Sequence, residues 1–304
     1  MISPAEFPPA VRPGDRVGVA ALSGPVREDR LQSGLTALRA LGYEPVLGSN
    51  IRSHAGLFAG SDNERLDGFH ALAADADLRA IFFARGGHGL LRILPRIDWS
   101  LLAETPRFYV GYSDLTPFLL GVVARLGLVA LHGPMIAADL ARGLSAEEVA
   151  SLQAALRADP LPTLPVAGFL APGSAEGVLL GGCLSLLVST IGTPYGLDGE
   201  GAILAWEDTN EPLYRIDRML THLNLSGTLS AVRGMVMGSC PVRGADTAIS
   251  PDSMPAVECL RDHAASLHGP VAWGLPMGHD SPNWTLPLGR RVLLDSATQE
   301  LALR

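Results

Sequence analysis

Short apolar runs alternate with helical periodicities along the first half of the chain. The runs typical of buried strands lie at 16–22, 80–83, 108–112 and 128–132. Behind the first run, leucines recur at helical spacing from Leu31 until Gly42, a residue that commonly ends a helix. Strands that alternate with helices in this way predict a mostly parallel sheet flanked by helices, which is an α/β fold.

The pattern changes at 158–177, where four prolines occur without helical periodicity. Such a composition predicts a linker. We therefore expect an N-terminal domain at 1–157 and a C-terminal domain at 178–304. Apolar runs in the second domain predict strands that end near Trp206, near Met237 and near Trp273.

Small or polar residues follow the predicted strands of the first half. These turns are "SGP" at 23–25, "RGGHG" at 85–89, "YSD" at 112–114 and "HGP" at 132–134. Open α/β sheets bind ligands outside the carboxyl ends of their strands. The sequence therefore predicts a ligand site at this edge of the first sheet.

Composition and charge narrow the class of protein. The 304 residues are 47% hydrophobic, which is enough for a large core, and the formal net charge is -8. An acidic balance disfavours nucleic acid as a partner, and no stretch approaches the roughly 20 apolar residues of a membrane helix. Three widely spaced cysteines without a CxxC pair indicate neither a disulfide framework nor a zinc knuckle. We expect a soluble cytoplasmic protein with no membrane partner.

Ser113 stands between a predicted strand and a predicted helix. A sharp strand-to-helix turn presents a nucleophile clear of the sheet, beside the unpaired N–H groups of the helix N-terminus. Gly111 matches the glycine that precedes the serine in G-x-S-x-G, but the glycine after it is replaced. Helix capping by Ser113 or Asp114 explains the same pattern, and these residues alone favour the cap.

Carboxylates and histidines follow other strands. Glu207 and Asp208 come where a strand ends, and His279 lies in a loop behind another, as do His88 and His132 behind theirs. A serine, a carboxylate and a histidine in this order occur in one arrangement of the acyl-transfer triad, although the order is not diagnostic. Surface charges and ordinary turns remain the alternatives. The spacing of "RGGHG" matches neither a dinucleotide fingerprint nor a P-loop, so an oxyanion loop or a tight turn remains.

Taken in order, the motifs resemble the LD-carboxypeptidase family of serine peptidases over nearly the whole chain. The motifs are "SGP" at 23–25, "RGGHG" at 85–89, "GYSDLT" at 111–116, "LHGP" at 131–134, "WEDTNEPLYRIDRML" at 206–220 and "GLPMGH" at 274–279. The resemblance implies hydrolysis of an amide between an L-centre and a D-amino acid. Family members release terminal D-alanine from cytoplasmic murein tetrapeptide during cell-wall recycling, which makes this peptide the expected substrate.

The resemblance also implies roles for residues. Ser113 would be the nucleophile, Glu207 the residue that orients the histidine, and His279 the general base. The backbone N–H groups of Asp114 and of Gly86 or Gly87 would form the oxyanion hole. The implied fold is an N-terminal domain with a nucleophile elbow, similar to class I glutamine amidotransferases, and a smaller β-rich C-terminal domain. We expect a homodimer that needs no cofactor and no metal.

Five further residues are candidates for substrate binding, by their position in or near the motifs. They are Ser23, Arg85, His88, Trp206 and Arg215. Two positions depart from the family pattern, since His88 replaces the tyrosine of "RGGYG" and Cys183 replaces the asparagine of "GGN". Both could border the substrate.

Two other functions remain open. A branch of the family resembles self-immunity peptidases that hydrolyse aminoacyl or peptidyl adenylates with the same triad. Such a site requires an aromatic surface for adenine, for which Trp206 and Trp284 are candidates, although both could equally be core residues. The second alternative is a non-catalytic ligand-binding protein on the same scaffold, because a fold alone does not guarantee activity.

Overall fold

The computed structural model describes residues 3–243, 255–265 and 267–304 of the chain. These residues form two compact units. The first unit comprises Ala5–Leu161 and Trp284–Gly289, and the second comprises Pro162–Asn283 and Arg290–Arg304 together with the first residues of the chain. The return of a short C-terminal segment to the first unit is not visible in the sequence pattern.

The first unit alternates strands and helices as the pattern predicts. Its elements up to residue 161 are β1 (Arg16–Ala20), α1 (Glu28–Ala40), β2 (Glu44–Leu47), α2 (Asp62–Ala74), β3 (Leu78–Phe83), α3 (Leu90–Ile93), α4 (Trp99–Glu104), β4 (Phe108–Gly111), α5 (Thr116–Gly121), β5 (Ala130–His132) and α6 (Ala146–Arg157). A 3-10 turn over Ser113–Leu115 precedes α5, and a π-helical turn over Val122–Leu126 follows it.

The remaining elements continue in chain order. They are β6 (Leu164–Pro165), β7 (Gly168–Ala171), β8 (Ser174–Cys183), α7 (Leu184–Ser189), β9 (Ala202–Glu207), α8 (Leu213–Leu225), α9 (Thr228–Ala231), β10 (Gly234–Met237), α10 (Pro255–Ala264), β11 (Val271–Trp273), β12 (Leu286–Leu288), β13 (Arg291–Asp295) and β14 (Glu300–Leu303). Of these, β12 belongs to the first unit.

The first sheet has the strand order β12-β5-β4-β3-β1-β2. All its neighbouring strands are parallel except β12, which runs antiparallel to β5. Strand β4 is buried at every position, as expected where helices cover both faces of a parallel sheet. The chain order reverses between β1 and β3, and such a switch point is a preferred place for a ligand crevice.

The second sheet has the strand order β6-β14-β13-β8-β9-β10-β11-β7. Its centre, from β8 to β11, is parallel, and its remaining pairs are antiparallel. Strand β9 is fully buried and ends at Glu207. The carboxyl ends of four parallel strands therefore meet at the edge where Glu207 lies.

The predicted fold class is confirmed as a two-unit α/β fold with mixed sheets. The stretch 158–177, interpreted from its prolines as a linker, contains β6, β7 and the beginning of β8. Its prolines occur at sheet positions that tolerate them: Pro165 lies in the two-residue outermost strand β6, and Pro162 and Pro172 lie outside strands. None of the helices that the structure describes has both the length and the apolar composition needed to cross a bilayer.

Candidate active site

Ser113 occupies a sharp turn directly behind β4. It is half-buried and is the first residue of the 3-10 turn, with a φ of 63°. A non-glycine residue in this left-handed region is strained, and such strain is common at functional sites. A strand, a strained serine and a helix in succession form the arrangement known as a nucleophile elbow.

Packing holds the helix that follows Ser113. In α5, the Phe118 ring contacts the rings of Phe69, Phe83 and Tyr109 edge-on at centroid distances of 5.2–5.4 Å. It also stacks on Trp99 at 5.6 Å. Such a cluster restricts the movement of α5, and with it the direction of the turn that bears Ser113.

The loop 85–89 lies at the end of β3, the neighbour of β4, and hydrogen bonds hold it on both sides. The N–H of Gly24 donates to the Gly86 carbonyl at 3.0 Å, so the "SGP" turn supports one side of the loop. On the other side, the fully buried Arg65 guanidinium donates to the Gly89 carbonyl at 3.0 Å. The buried Asp114 carboxylate accepts the N–H of Leu90 at 2.9 Å, which ties the loop to the turn of Ser113.

Gly86 is the glycine of this loop that lies against Ser113. A Cβ added to Gly86 would lie 2.8 Å from Cβ of Ser113, 2.9 Å from its Oγ and 3.4 Å from the backbone nitrogen of Asp114. Asp114 is the second residue of the 3-10 turn, so its N–H has no acceptor within that turn. The geometry thus brings Gly86 and the N–H of Asp114 to the nucleophile candidate.

Replacing Gly86 with alanine is expected to lower kcat about 100-fold or more while the protein stays folded. The added methyl group would displace Ser113 or the loop, and loss of one oxyanion donor alone costs about 10²–10³ in kcat. The measurement is kcat beside thermal unfolding. Gly14→Ala is the control, because Gly14 has a φ of 93° but open space around its Cβ position. A Gly86→Ala enzyme with normal kcat would contradict a close role of this loop.

Glu207 and His279 form a hydrogen-bonded pair within the second unit. Oε2 of Glu207 lies 2.6 Å from Nδ1 of His279. Glu207 is the last residue of β9, and its side chain is fully buried, whereas the His279 side chain is 21% exposed. Burial raises the pKa of the Glu207 carboxyl, and the hydrogen bond from His279 partly opposes this rise. A carboxylate that engages Nδ1 orients the imidazole and stabilises its protonated form, as in acyl-transfer triads.

Close backbone approach makes this pair possible. Gly278 has a φ of 123°, and a Cβ there would lie 2.9 Å from Oε2 of Glu207. Its N–H donates to Oδ1 of the buried Asn283 at 3.0 Å, which holds the loop that carries His279. A glycine is therefore required immediately before His279.

The two adjacent carboxylates have different roles. Asp208 is buried, and its oxygens accept the N–H groups of Ser185 and Thr209 at 2.8 Å each. Asp208 therefore fixes the backbone around α7, whereas Glu207 contacts the imidazole. Asp280 accepts the hydroxyl of Ser239 at 2.6 Å and connects the loop behind His279 to the end of β10.

Cys183, one of the two departures from the family pattern, lies beside Glu207. The two residues are paired in register across β8 and β9. Cys183 is buried with Sγ 3.3 Å from Oγ of Ser185. Burial, followed by the charge of Glu207, raises the pKa of its thiol well above the usual range. Cys183 is therefore a neutral thiol in the wall next to Glu207.

The substrate-binding candidates have different surroundings. Trp206 is fully buried, so its ring packs in the core of its sheet and presents no face to a ligand, which corrects the expectation for this residue. Arg85 is exposed and donates to the Pro25 carbonyl at 3.0 Å, and the exposed Arg215 pairs with Glu211. Ser23 is fully buried. The exposed His88 ring stacks on Phe58 at 5.9 Å.

Sequence reasoning missed two supporting roles. The side chain of Asp114 joins the glycine loop to the turn, whereas the sequence suggested only a helix cap or an oxyanion donor at this residue. Gly278 is needed for the approach to Glu207, and only the adjacent His279 drew attention to it. Neither role could be predicted from the sequence for the same reason. Each depends on which loops, distant in sequence, meet at the edge of a sheet.

Two family models match the chain. One, described as the LD-carboxypeptidase N-terminal domain, matches residues 17–133, and the other, described as the LD-carboxypeptidase C-terminal domain, matches residues 176–294. A relative from Bacillus subtilis, named a probable murein peptide carboxypeptidase, is 34% identical over 95% of this chain and 92% of its own.

Solved structures agree with this match. The crystal structure of muramoyltetrapeptide carboxypeptidase from Oxalobacter formigenes is 31% identical, covers 95% of this chain and 97% of its own, and has a TM-score of 0.84. The microcin C7 self-immunity protein MccF, known from Escherichia coli, has a TM-score of 0.87 over 98% of both chains. At 21% identity, that likeness concerns the fold alone.

Proposed function

Since this chain belongs to the LD-carboxypeptidase family of serine peptidases, we propose that it releases terminal D-alanine from murein tetrapeptide through Ser113, Glu207 and His279. The observation that carries the proposal is the strained turn of Ser113 against Gly86. The 2.6 Å pair of Glu207 and His279 adds the base that such a serine needs.

The proposed reaction proceeds in two halves. His279 takes the proton of the Ser113 hydroxyl through Nε2, and the serine oxygen attacks the scissile carbonyl on the L-centre. The N–H groups of Asp114 and of Gly86 stabilise the resulting oxyanion. The oxyanion collapses, the C–N bond breaks, and D-alanine leaves with the proton from His279. Water, deprotonated by the same histidine, then hydrolyses the acyl-enzyme and restores the serine hydroxyl.

Glu207 acts through the histidine in this scheme. Its carboxylate accepts the Nδ1–H of His279, which leaves the proton transfer to Nε2. The positive charge that His279 gains during the attack faces a carboxylate in a buried setting, where the attraction is stronger than in water. The departure of D-alanine requires no metal in this scheme.

The names of relatives support the substrate. The Bacillus subtilis relative is named for murein peptide, and the Oxalobacter formigenes structure for muramoyltetrapeptide. Both are above 30% identity over nearly the full chain, whereas the MccF likeness concerns the fold alone. The burial of Trp206 removes one of the two aromatic candidates for binding adenine, which disfavours an adenylate substrate. Trp284 remains half-buried.

An assay with paired substrates tests this choice. Wild-type enzyme is expected to release D-alanine from L-Ala-γ-D-Glu-meso-diaminopimelate-D-Ala, and not to release L-alanine from the same peptide with a terminal L-alanine. Free alanine of each configuration is measured beside hydrolysis of an aminoacyl adenylate analogue. Turnover of the adenylate alone would favour the self-immunity type, and binding of the peptide without turnover would favour the non-catalytic alternative.

The remaining family properties are part of the same proposal. We propose a homodimer in the cytoplasm and a first unit similar to class I glutamine amidotransferases, because members of the family have these properties. Arg85 and Arg215 stay proposals for substrate binding, since each presents an exposed guanidinium. Sedimentation of the purified protein would test the homodimer directly.

A further inference from the structure

A second group of chemically reactive side chains lies in the second unit, on the helix pair α8 and α10. It consists of Asp217 from α8 and of Cys259 and His263 from α10. Cys259 and His263 are four residues apart, so they lie on the same face of α10. Helices α8 and α10 pack against each other, and Asp217 comes from the packed partner. In sequence, Asp217 is far from the other two residues, so the three together match no metal-binding motif of fixed spacing.

The ligand atoms lie at distances that a metal ion can bridge. One atom from each side chain lies within 4.8 Å of the other two, and Nε2 of His263 is 3.0 Å from Oδ1 of Asp217. Zinc bonds of about 2.0–2.3 Å at tetrahedral angles separate ligand atoms by about 3.3–3.6 Å. These separations lie close to the ones already present among the three side chains.

The chemistry of the three groups favours zinc among the divalent ions. A thiolate, an imidazole and a carboxylate are each ligands of zinc, and thiolate disfavours calcium and magnesium, which take oxygen ligands.

Burial distinguishes the group from ordinary surface charges. Cys259 is 8% exposed, and the His263 side chain is 12% exposed. The Asp217 side chain is 60% exposed and closes the group on the solvent side. Two shielded ligands and one accessible ligand give an ion a path of entry and leave a fourth position for water.

We propose that Asp217, Cys259 and His263 bind one zinc ion that joins α10 to α8. On binding, the ion bonds to Sγ of Cys259, whose proton leaves to solvent, to Nε2 of His263 and to one carboxylate oxygen of Asp217. The ion replaces the direct contact of His263 with Asp217 by two bonds to metal. The proposed role of the ion is to fix α10 against α8, and it takes no part in the reaction proposed for Ser113.

The competing interpretation is a simple pair of His263 and Asp217 beside a buried cysteine. Such a pair at a surface contributes little to stability and binds no metal. The two interpretations differ in one observable, because only the metal site places a thiolate on the ion.

Titration of the full-length protein with Co²⁺, used as a spectroscopic probe for zinc, tests the proposal. Wild type is expected to show a thiolate-to-cobalt charge-transfer band in the near ultraviolet that saturates at one equivalent and disappears when zinc is added. Cys259→Ser is expected to lose the band, and Cys240→Ser, the matched control, is expected to keep it. Cys240 lies outside the three-residue group.

A second variant keeps the test decisive if Cys259→Ser fails to fold. Asp217→Asn changes a mostly exposed side chain and is expected to weaken zinc binding about 10-fold or more, since loss of even an outer partner of a metal site costs about 10–100-fold in affinity. Zinc affinity is measured by competition with a chromophoric chelator. Absence of the band in wild type, its persistence in Cys259→Ser, or equal zinc affinity of Asp217→Asn and wild type would each overturn the proposal.

Discussion

Replacing Ser113 with alanine is expected to lower kcat for D-alanine release about a millionfold, which is the loss seen when a triad serine is removed. In the proposed mechanism the oxygen of this hydroxyl forms the acyl-enzyme, and alanine supplies no nucleophile in its place. A residual rate above that in water is expected, since the glycine loop and the N–H groups of the turn remain. The measurement is single-turnover release of D-alanine, which separates the chemical step from product release.

The fold of this variant should be intact. The Ser113 side chain is small, and the positive φ of 63° is imposed by the surrounding turn, so alanine retains the same strain. Ser33→Ala is the matched control, because it makes the same chemical change on the exposed face of α1, where Oγ bonds the carbonyl of Asp29. It is expected to keep full activity. Equal release of D-alanine by wild type and Ser113→Ala would remove this serine from the mechanism and leave the pair in the second unit without its proposed nucleophile.

Much of the first unit could be predicted because its strands and turns are recognisable from residues that are neighbours in the sequence. Continuous apolar runs are typical of parallel strands covered by helices on both faces. The glycines and the serine that follow these strands lie at one edge of the sheet. Strand β2 escaped this reasoning, since its positions are half-buried or exposed and carry no continuous apolar run. The π-helical turn behind α5 also escaped, because its residues repeat at nearly helical spacing.

What could not be predicted depends on contacts between distant segments. The strain of Ser113 is a backbone angle, and residue types alone favoured a helix cap over a nucleophile. Strand β12 joins β5 across more than 150 residues, and no local pattern links the two. The burial of Trp206 follows from its place in a central strand, whereas its neighbourhood in the sequence left a core position and a ligand-facing ring equally open. The nucleophile role proposed for Ser113 came first from the family resemblance and not from geometry.

Glu207→Gln is expected to lower kcat about 10⁴-fold, the loss seen when the carboxylate of a triad becomes an amide. An amide that turns its nitrogen toward His279 makes Nδ1 an acceptor and moves the proton to the wrong ring nitrogen. An amide that turns its oxygen toward His279 keeps the hydrogen bond but offers no charge to the imidazolium. Both orientations therefore impair the base. A kcat within tenfold of wild type would show that other contacts orient His279.

The same substitution should change how stability depends on pH. Burial holds the pKa of Glu207 above the ordinary glutamate value of about 4.3, so the native state binds this proton more tightly than the unfolded chain does. This contribution to stability is complete below the ordinary value and is lost as pH rises through the raised one. Glutamine does not titrate, so the melting temperature of the variant should rise relative to wild type over that interval.

A second fully buried glutamate provides the control for both readouts. Glu148 uses both oxygens, one toward Arg142 at 3.0 Å and one toward the N–H of Ser145 at 2.7 Å. Glu148→Gln removes the charge that pairs with the partly exposed Arg142, while glutamine can still accept the Ser145 N–H in the capping box, so it should lower stability and leave kcat unchanged. Glu207→Gln should do the reverse at neutral pH, with a large loss of kcat and little loss of stability. If both variants lost stability alike, Glu207 would be a structural carboxylate and the assignment of His279 as its catalytic partner would fail.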